Sequence, residues 1–281
     1  MRVGIIGGCG KMGQWFCRNF SDCEIAIYGR DHTRTRQCAQ EWEVHPLFDI
    51  ASLCEYADLI MVSVPLGETG SVLKKIKNLI PQGKKICDIA SLKSETVQIL
   101  STFPGHSTVG SVHPLFGPGS PGFRGKKVII VPVESREQES HFFHTFFQEQ
   151  GAEVTVSDAV THDRMMALTL SLPHFFGYLF SSMLFPNPPE HMHSFEGTSF
   201  TYLLTFSKAV LYEDPLFYFE LMQNPQVRPL LEKLIDRAHT LKTIITTGDR
   251  SAFLHYVDEL RETLSDEDLS EAYTLFSRLT S

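Results

Sequence analysis

The chain has 281 residues, 42% of them hydrophobic and 21% charged, with a formal net charge of −8. These values are typical of a globular protein with one large or two ordinary domains. The acidic balance excludes nucleic acid as an expected partner, because phosphate binding needs a basic surface. No apolar run reaches the ~20 residues of a membrane span, and MRVGIIGG resembles a core strand more than a leader. We therefore expect a cytoplasmic protein without membrane contact.

Cysteine and histidine usage gives no sign of a metal centre. The six cysteines contain no CxxC pair, which favours reduced, buried thiols over disulfides. Two histidines lie close together in PEHMHS, residues 189–194, but no cluster of acids or cysteines accompanies them. We predict a polar loop there and no metal.

The first element is a strand, Val3–Gly7, followed by the glycine-rich segment GGCGKMG at residues 7–13. The spacing Gly-x-Gly-x-x-Gly between a strand and a helix is typical of dinucleotide-binding folds. We assign the first glycine to a tight turn, the second to close approach of a pyrophosphate and the third to helix–strand packing. The candidate cofactor-binding residues in this segment are Gly8, Gly10, Lys11, Met12 and Gly13.

The second predicted strand, Ile25–Tyr28, ends where NAD-binding sites usually carry an acidic residue. Here Gly29 stands at that point, and Arg30, Thr33 and Arg34 follow. A guanidinium matches the 2′-phosphate of NADP, so we predict NADP, with NAD as the alternative. The same residues could be a solvated helix start, and Asp31 could still bind a ribose.

The remaining first half continues to alternate between strands and helices. Pro65 ends a buried strand and is a further candidate for the cofactor site. Further strands are expected at Leu59–Val64, Ile86–Ile89, Thr108–Val112, Val128–Val131 and Ala152–Val156. Intervening helices such as Glu137–Gln150 predict βαβ units and a parallel sheet covered on both faces. The predicted strand Thr108–Val112 is followed by His113 and a loop rich in proline and glycine.

After about residue 157 the apolar positions follow a period near 3.6, and long strand-like runs are absent. We therefore predict two domains, residues 1–157 and residues 158–281, the second of them all-helical. Its first long helix should span His162–Phe180. A helical domain of this size often completes its core by pairing with a second copy, so we expect a homodimer.

Five segments occur in a telling order along the chain. They are VGIIGGCGKMGQWF, DIASLKS, SVHPLFGP, HDRMMALTLSLPHFFGYLF and DPLFYFELMQNP. Together they closely resemble the prephenate and arogenate dehydrogenases of tyrosine biosynthesis. The resemblance implies an α/β Rossmann-type domain with a parallel sheet, followed by an all-α helical dimerisation domain. It also implies a nicotinamide cofactor, a small-molecule cyclohexadienyl substrate and oxidative decarboxylation.

The same resemblance implies roles for three residues. His113 would accept the proton of the substrate hydroxyl, and Ser91 would hydrogen-bond both the imidazole and that hydroxyl. His174 would face the substrate. From the residues alone, Ser91 could instead be a helix N-cap with Glu95 near the N3 position, and His174 could be a satisfied core histidine beside a kink at Pro173.

This chain lacks the arginine that we would expect to bind the substrate carboxylate. The family usually has one just before the DP dipeptide, where this chain has Ala209, with Lys208 next to it. Our substrate-binding candidates are therefore Lys208 and Lys93, although Lys93 could equally be solvated. Arg164 and Arg124 are other possible sources of the charge.

Two other functional classes remain open at this point. One is a different Rossmann-plus-helical oxidoreductase, such as a β-hydroxyacid dehydrogenase or an imine reductase. The interdomain helix, Asp163–Phe180, lacks the lysine usual in the former class. The other is a non-catalytic sensor of nicotinamide cofactors. The sequence does not separate prephenate from arogenate.

Overall fold

A computed structural model describes residues 1–278. They form two compact units, and the second begins at Ala167. Helix α7 (Ala159–Met166) therefore belongs to the first unit, although the change in sequence rhythm lies before it.

The first unit contains an eight-stranded sheet in the order β3-β2-β1-β4-β5-β6-β7-β8. The order from β3 to β5 is that of a Rossmann fold. Its strands are β1 (Arg2–Ile6), β2 (Glu24–Tyr28), β3 (His45–Leu47), β4 (Leu59–Val62), β5 (Lys85–Asp88), β6 (Thr108–Pro114), β7 (Lys127–Val131) and β8 (Glu153–Val156).

Helices cover both faces of this sheet. Before α7 they are α1 (Lys11–Asn19), α2 (His32–Glu41), α3 (Ile50–Tyr56), α4 (Leu66–Ile76), α5 (Ser94–Ser101) and α6 (Ser140–Glu149). Strand β4 shows why two layers form, since Leu59 and Met61 enter one apolar core and Ile60 and Val62 enter the other. A strand buried on both faces is typical of a parallel sheet between helices.

The sheet is mostly parallel, as predicted, but one pair of strands departs from this pattern. Strands β6 and β7 pair antiparallel, with His113 opposite Ile129. Only residues 115–126 connect these two strands, and they form no helix. A parallel crossover usually needs a helix, so the absence of helical spacing in this proline- and glycine-rich segment was the missed signal.

The second unit is helical, and together with the sheet unit it confirms the predicted fold class. Its helices are α8 (Leu172–Leu184), α9 (Thr198–Tyr212), α10 (Pro215–Met222), α11 (Val227–Thr247), α12 (Arg250–Arg261) and α13 (Asp266–Arg278). The single long helix predicted at 162–180 is interrupted. A π-helical segment, Ala167–Ser171, precedes α8, and Pro173 lies in the first turn of α8, where its missing N–H costs little.

Helices α11 to α13 bury few of their apolar side chains. Val227 is the buried residue of α11, and neither α12 nor α13 contains a fully buried residue within the described chain. The large apolar side chains that they expose are Ile235, Ile245, Phe253, Leu254, Leu260, Leu269, Tyr273 and Leu275. None of the described helices combines the length and the apolar character that a membrane span requires.

Candidate active site

A cavity of about 360 Å³ lies at the carboxyl ends of β1, β2 and β4. This is the edge at which open α/β sheets bind their ligands. Of the predicted cofactor residues, Gly10, Arg30 and Pro65 line it, together with Arg34, Lys75 and Glu68.

The glycines of the glycine-rich segment have structural roles that differ from our prediction. Gly7, not Gly8, makes the tight turn, with a φ of +88° that favours glycine. A Cβ on Gly8 would lie 2.6 Å from the Cβ of Ile27, so Gly8 permits packing against β2. Gly13 packs equally closely, because its Cβ would lie 2.7 Å from the Cα of Gly8.

Helix α1 begins directly after Gly10, which is its N-cap. Helix geometry leaves the first backbone N–H groups without intrahelical acceptors, here those of Lys11, Met12 and Gly13. Met12 packs its side chain against the core, and the side chain of Lys11 is exposed. These residues can therefore contribute main-chain donors to an anion.

The basic residues after β2 are more constrained than the sequence suggested. Arg30 donates to Glu68 Oε1 at 2.9 Å, and Arg34 donates to the Cys9 carbonyl at 3.0 Å. Asp31 caps α2 by accepting from the Arg34 N–H. Thr33 is exposed on α2 and does not line the cavity, so its predicted role is not supported.

His113 lies within strand β6 and not in the loop behind it. Its side chain is buried, and Nδ1 is 2.9 Å from Nε2 of His162. His162 Nδ1 is in turn 2.9 Å from Oδ1 of Asp163. Helix α7 thus presents a carboxylate and an imidazole in line with His113. We refer to Asp163, His162 and His113 as the relay.

The groups of the relay have shifted pKa values. Burial lowers the pKa of His113 well below 6.5, and the charge of Lys93 and the neighbouring His162 act in the same direction. Burial also lowers the pKa of His162, against the opposing hydrogen bond to Asp163. For Asp163, burial raises the pKa, but hydrogen bonds from His162, Ser94 and the Lys93 N–H outweigh it and leave the pKa lowered.

Asp163 also holds the start of α5. One carboxylate oxygen accepts from the Lys93 N–H at 2.8 Å, and the other accepts from the N–H and hydroxyl of Ser94 at 2.9 and 2.5 Å. The N-cap of α5 is Lys93, so the alternative of Ser91 as N-cap is wrong. Within residues 1–278, no hydrogen bond joins Ser91 to His113.

Lys93 is neither solvated nor exposed to a ligand, which corrects both of our interpretations. Its side chain is 0% exposed, and its ammonium donates to Asp88 Oδ1 at 3.0 Å and to the Val112 carbonyl at 2.7 Å. Asp88 also accepts from the Ser111 hydroxyl at 2.5 Å. A buried, charged network therefore lies under the end of β6.

The loop after His113 is held by aromatic packing. Trp15 donates through Nε1 to the Ser120 carbonyl at 2.6 Å, and its ring lies 4.7 Å from those of Phe116 and Phe123. The conformation of this loop therefore depends on packing against α1 as well as on its own prolines.

Two matches decide the family. The sequence model of the prephenate dehydrogenase nucleotide-binding domain matches residues 21–156, and that of the prephenate dehydrogenase dimerization domain matches residues 158–264. The chain belongs to the prephenate dehydrogenase family. The β-hydroxyacid dehydrogenase and imine reductase alternatives are therefore set aside.

Individual members of the prephenate dehydrogenase family agree with this assignment. A probable arogenate/prephenate dehydrogenase of Methanocaldococcus jannaschii is 25% identical over 97% of this chain, which spans only 63% of that relative. A cyclohexadienyl dehydrogenase of Zymomonas mobilis is 25% identical over 85% of each chain. Prephenate dehydrogenase from A. aeolicus, solved with hydroxyphenyl propionate and NAD+, shares the fold with a TM-score of 0.77, 19% identity and coverage of 93% and 96%.

The family's helical domain contains two of our substrate-binding candidates. His174 Nδ1 donates to the Leu170 carbonyl at 2.8 Å, and Nε2 is 3.4 Å from Glu213 Oε2. Its ring stacks on Tyr218 with centroids 3.9 Å apart, which agrees with a satisfied histidine. Lys208 is exposed on α9, and Arg164 and Arg124 are exposed in the first unit.

Sequence reasoning missed four polar residues around His113, namely Asp88, Ser111, His162 and Asp163. All four lie at the beginning of segments that carry the family resemblance. The available signal was their polarity, because a buried strand end or helix face seldom contains such groups without partners. Among the described residues, no group of three His, Cys, Asp or Glu side chains could hold a metal ion.

Proposed function

We propose that the protein catalyses the oxidative decarboxylation of prephenate or arogenate with a nicotinamide cofactor, in tyrosine biosynthesis, and that His113 is the catalytic base. The observation that carries this proposal is the relay, because it leaves one nitrogen of His113 able to accept a proton. The match to both family domains supports the reaction class.

The tautomers follow from the hydrogen bonds. Asp163 is a carboxylate with a lowered pKa, so it accepts the Nδ1–H of His162. Neutral His162 then has an unprotonated Nε2, which must accept the Nδ1–H of His113. Neutral His113 therefore has its lone pair on Nε2.

Nε2 of His113 has no hydrogen-bond partner within the described residues. Within the described residues, the buried side-chain atoms that lack a partner are the hydroxyls of Ser171, Ser181 and Ser207. His113 is 4% exposed, and its Nε2 is not among these enclosed atoms. A substrate hydroxyl could approach it there.

The reaction balances around this base. The hydroxyl proton moves to Nε2 of His113 as the C4–H bond breaks and its hydride leaves. The ring carboxylate departs as CO2, and the electron pair of its bond to the ring completes the aromatic system. The phenolate oxygen that this leaves takes the proton back from Nε2, which gives the phenol and restores neutral His113. Oxidised nicotinamide supplies the hydride acceptor when bound. During this transfer the Nδ1–H of His113 stays bonded to Nε2 of His162, and Asp163 holds His162 in turn, so the ring keeps its orientation and tautomer.

The first unit fits such a cofactor. The cavity beside the glycine-rich segment is lined by Gly10, where a Cβ would approach only the carbonyls of Gly7 at 3.2 Å and Ser63 at 3.8 Å. The first turn of α1 offers main-chain donors for a pyrophosphate. Gly10, Lys11, Met12 and Gly13 would hold the phosphates, and Pro65 would line the site.

An assay with four reactant pairs tests the function. Purified protein is mixed with prephenate or arogenate and with NAD+ or NADP+, and reduced nicotinamide is followed by its absorbance. We expect turnover with at least one pair. If all four stay flat in folded protein that still binds a dinucleotide, the enzyme assignment is overturned and the sensor hypothesis is favoured.

For the cofactor, we propose a preference for NADP over NAD. The support is the set of cations on the cavity, Arg30, Arg34 and Lys75, and the absence of an acid directly after β2. Glu68 opposes this charge by pairing with Arg30, so a 2′-phosphate would compete with Glu68 for the guanidinium.

Two substitutions in this pair should change the preference in opposite directions. Glu68→Gln should raise the affinity ratio of NADP+ to NAD+, because Arg30 loses its competing anion. Arg30→Asp should lower that ratio by about 10- to 100-fold, the value of a charge-assisted hydrogen bond. Binding titrations with both dinucleotides measure the ratios, and Arg36→Asp, on α2 but outside the cavity lining, is the matched control. Unchanged ratios in both variants would exclude the phosphate pocket.

We also propose that the protein is a homodimer through its helical unit. The match to a dimerization domain and the exposed apolar residues of α11 to α13 support this. Sedimentation equilibrium should give twice the 31.8 kDa of one chain. Ile235→Asp with Ile245→Asp should dissociate the dimer, whereas Thr240→Asp on the polar side of α11 is the control. A monomeric parent protein would contradict the proposal.

Six free thiols support a reducing compartment such as the cytoplasm.

A further inference from the structure

We propose that Lys93 is a positioning residue for His113, which it serves through the Val112 carbonyl and through its own positive charge. This proposal rests on the proposed role of His113 as the base. It differs from a substrate-binding role, because the ammonium contacts protein groups and is completely enclosed.

Lys93 takes the place of a neighbouring strand at the end of β6. Strand β5 ends at Asp88, which pairs with Ser111, while β6 continues to Pro114. Beyond Ser111 the β6 backbone has no partner in β5. The Lys93 ammonium binds the carbonyl of Val112, the next residue, at 2.7 Å. The peptide that joins Val112 to His113 is therefore fixed by a side chain where a strand is missing.

Asp88 keeps the ammonium in this position. Its carboxylate accepts from the Ala90 N–H at 2.9 Å, from Lys93 Nζ at 3.0 Å and from the Ser111 hydroxyl at 2.5 Å. Burial lowers the pKa of Lys93, and the charge and hydrogen bond of Asp88 oppose that shift. Both side chains are 0% exposed, so neither charge can reach solvent without disrupting the network.

The charge of Lys93 also acts on the imidazole. The titratable or charged groups that act on His113 are Lys93 and His162, which are held in turn by Asp88 and Asp163. Of these, the Lys93 ammonium opposes a second positive charge. After burial, it is the largest cause that lowers the pKa of His113. Lys93 thus holds the base in place and keeps it unprotonated.

The test removes the charge pair together, because a single change would leave an unpaired buried charge. In Lys93→Met with Asp88→Asn, the pH titration of His113 is followed by NMR of labelled histidine, assigned with His113→Asn. We expect the His113 titration and the acid limb of kcat/KM to move to higher pH together. On that limb, kcat/KM should fall about tenfold for each pH unit moved, with little change in KM. Lys127→Met, an exposed lysine on β7, is the control and should move neither.

Other outcomes would overturn the proposal. A large rise in KM with an unmoved acid limb would make Lys93 a direct substrate ligand. An unmoved His113 titration in a folded double variant would remove the electrostatic role. Should that variant not fold, Lys93→Gln with Asp88→Asn makes the same charge change and keeps a donor for Val112. In the parent protein, titration of His113 at or above pH 6.5 would refute the proposal without any variant.

The NMR titration requires no turnover, so it separates this proposal from the proposed function. If no reactant pair is turned over but the His113 titration moves as expected, the enzyme assignment fails and the positioning role of Lys93 stands.

Discussion

Replacing His113 by asparagine should reduce kcat by about 10²- to 10⁴-fold, the usual contribution of a positioned general base. Asparagine keeps a polar group of similar size but cannot take the hydroxyl proton. Because His113 lies in a paired strand, the change should alter chemistry more than backbone structure. Steady-state kinetics with the active reactant pair measures the loss, and dinucleotide affinity should remain unchanged.

The pH profile of the parent enzyme gives the same base a second signature. A group with a lowered pKa becomes neutral at a lower pH, so kcat/KM should rise with pH through that lowered pKa. The acid limb should therefore lie below the usual 6.5 of histidine. His141→Asn, an exposed histidine on α6, is the control and should leave rate and profile unchanged. A fully active His113→Asn enzyme would exclude His113 as the base.

Replacing His162 by phenylalanine should lower kcat by about 10- to 100-fold, although His162 is not proposed to touch the substrate. The variant leaves the Nδ1–H of His113 without its acceptor, a loss of about 1–3 kcal/mol for a buried donor. His113 can then take the tautomer with its proton on Nε2, where the base function is lost. Removing His162 should also move the acid limb slightly upward, because His162 contributes to the lowered pKa of His113.

Glutamine at position 162 distinguishes this explanation from a packing defect. Its carbonyl oxygen can accept from His113, so His162→Gln should retain more activity than His162→Phe at comparable thermal stability. NMR of the labelled His113 ring reports the tautomer directly. If both variants lose activity equally while His113 keeps its Nδ1–H tautomer, the relay has no part in the reaction.

Periodicity and turn chemistry were enough to predict the fold class. The apolar runs of β1, β4, β5 and β6 gave the buried strands, and the 3.6 period gave the helical unit. Strand β7 was predicted, but its antiparallel direction was missed because the direction of a strand depends on its connection more than on its composition. Strand β3 was missed because its three residues are too few to show alternation.

The site was less predictable, because its contacts join residues far apart in the chain. Gly10 was found from a local pattern and His113 from the family resemblance of its segment. His162 lies 49 residues beyond His113, and their pairing depends on how α7 packs. Lys93 and Asp88 are only five residues apart, but the sequence alone did not show that both are buried. Whether a lysine makes contacts at the surface or supports the interior depends on its burial, and burial is a tertiary property.

The pairing of His113 with Ile129 has a consequence for how the enzyme would meet its substrate. Strand pairing fixes the backbone of His113, and His162 holds its ring at Nδ1. The ring therefore has almost no freedom to turn toward a proton donor. The remaining alignment must come from the incoming molecule, so discrimination against analogues would depend on whether their hydroxyl arrives at one point in space. Small shifts in ligand posture should then cost more in turnover than in affinity.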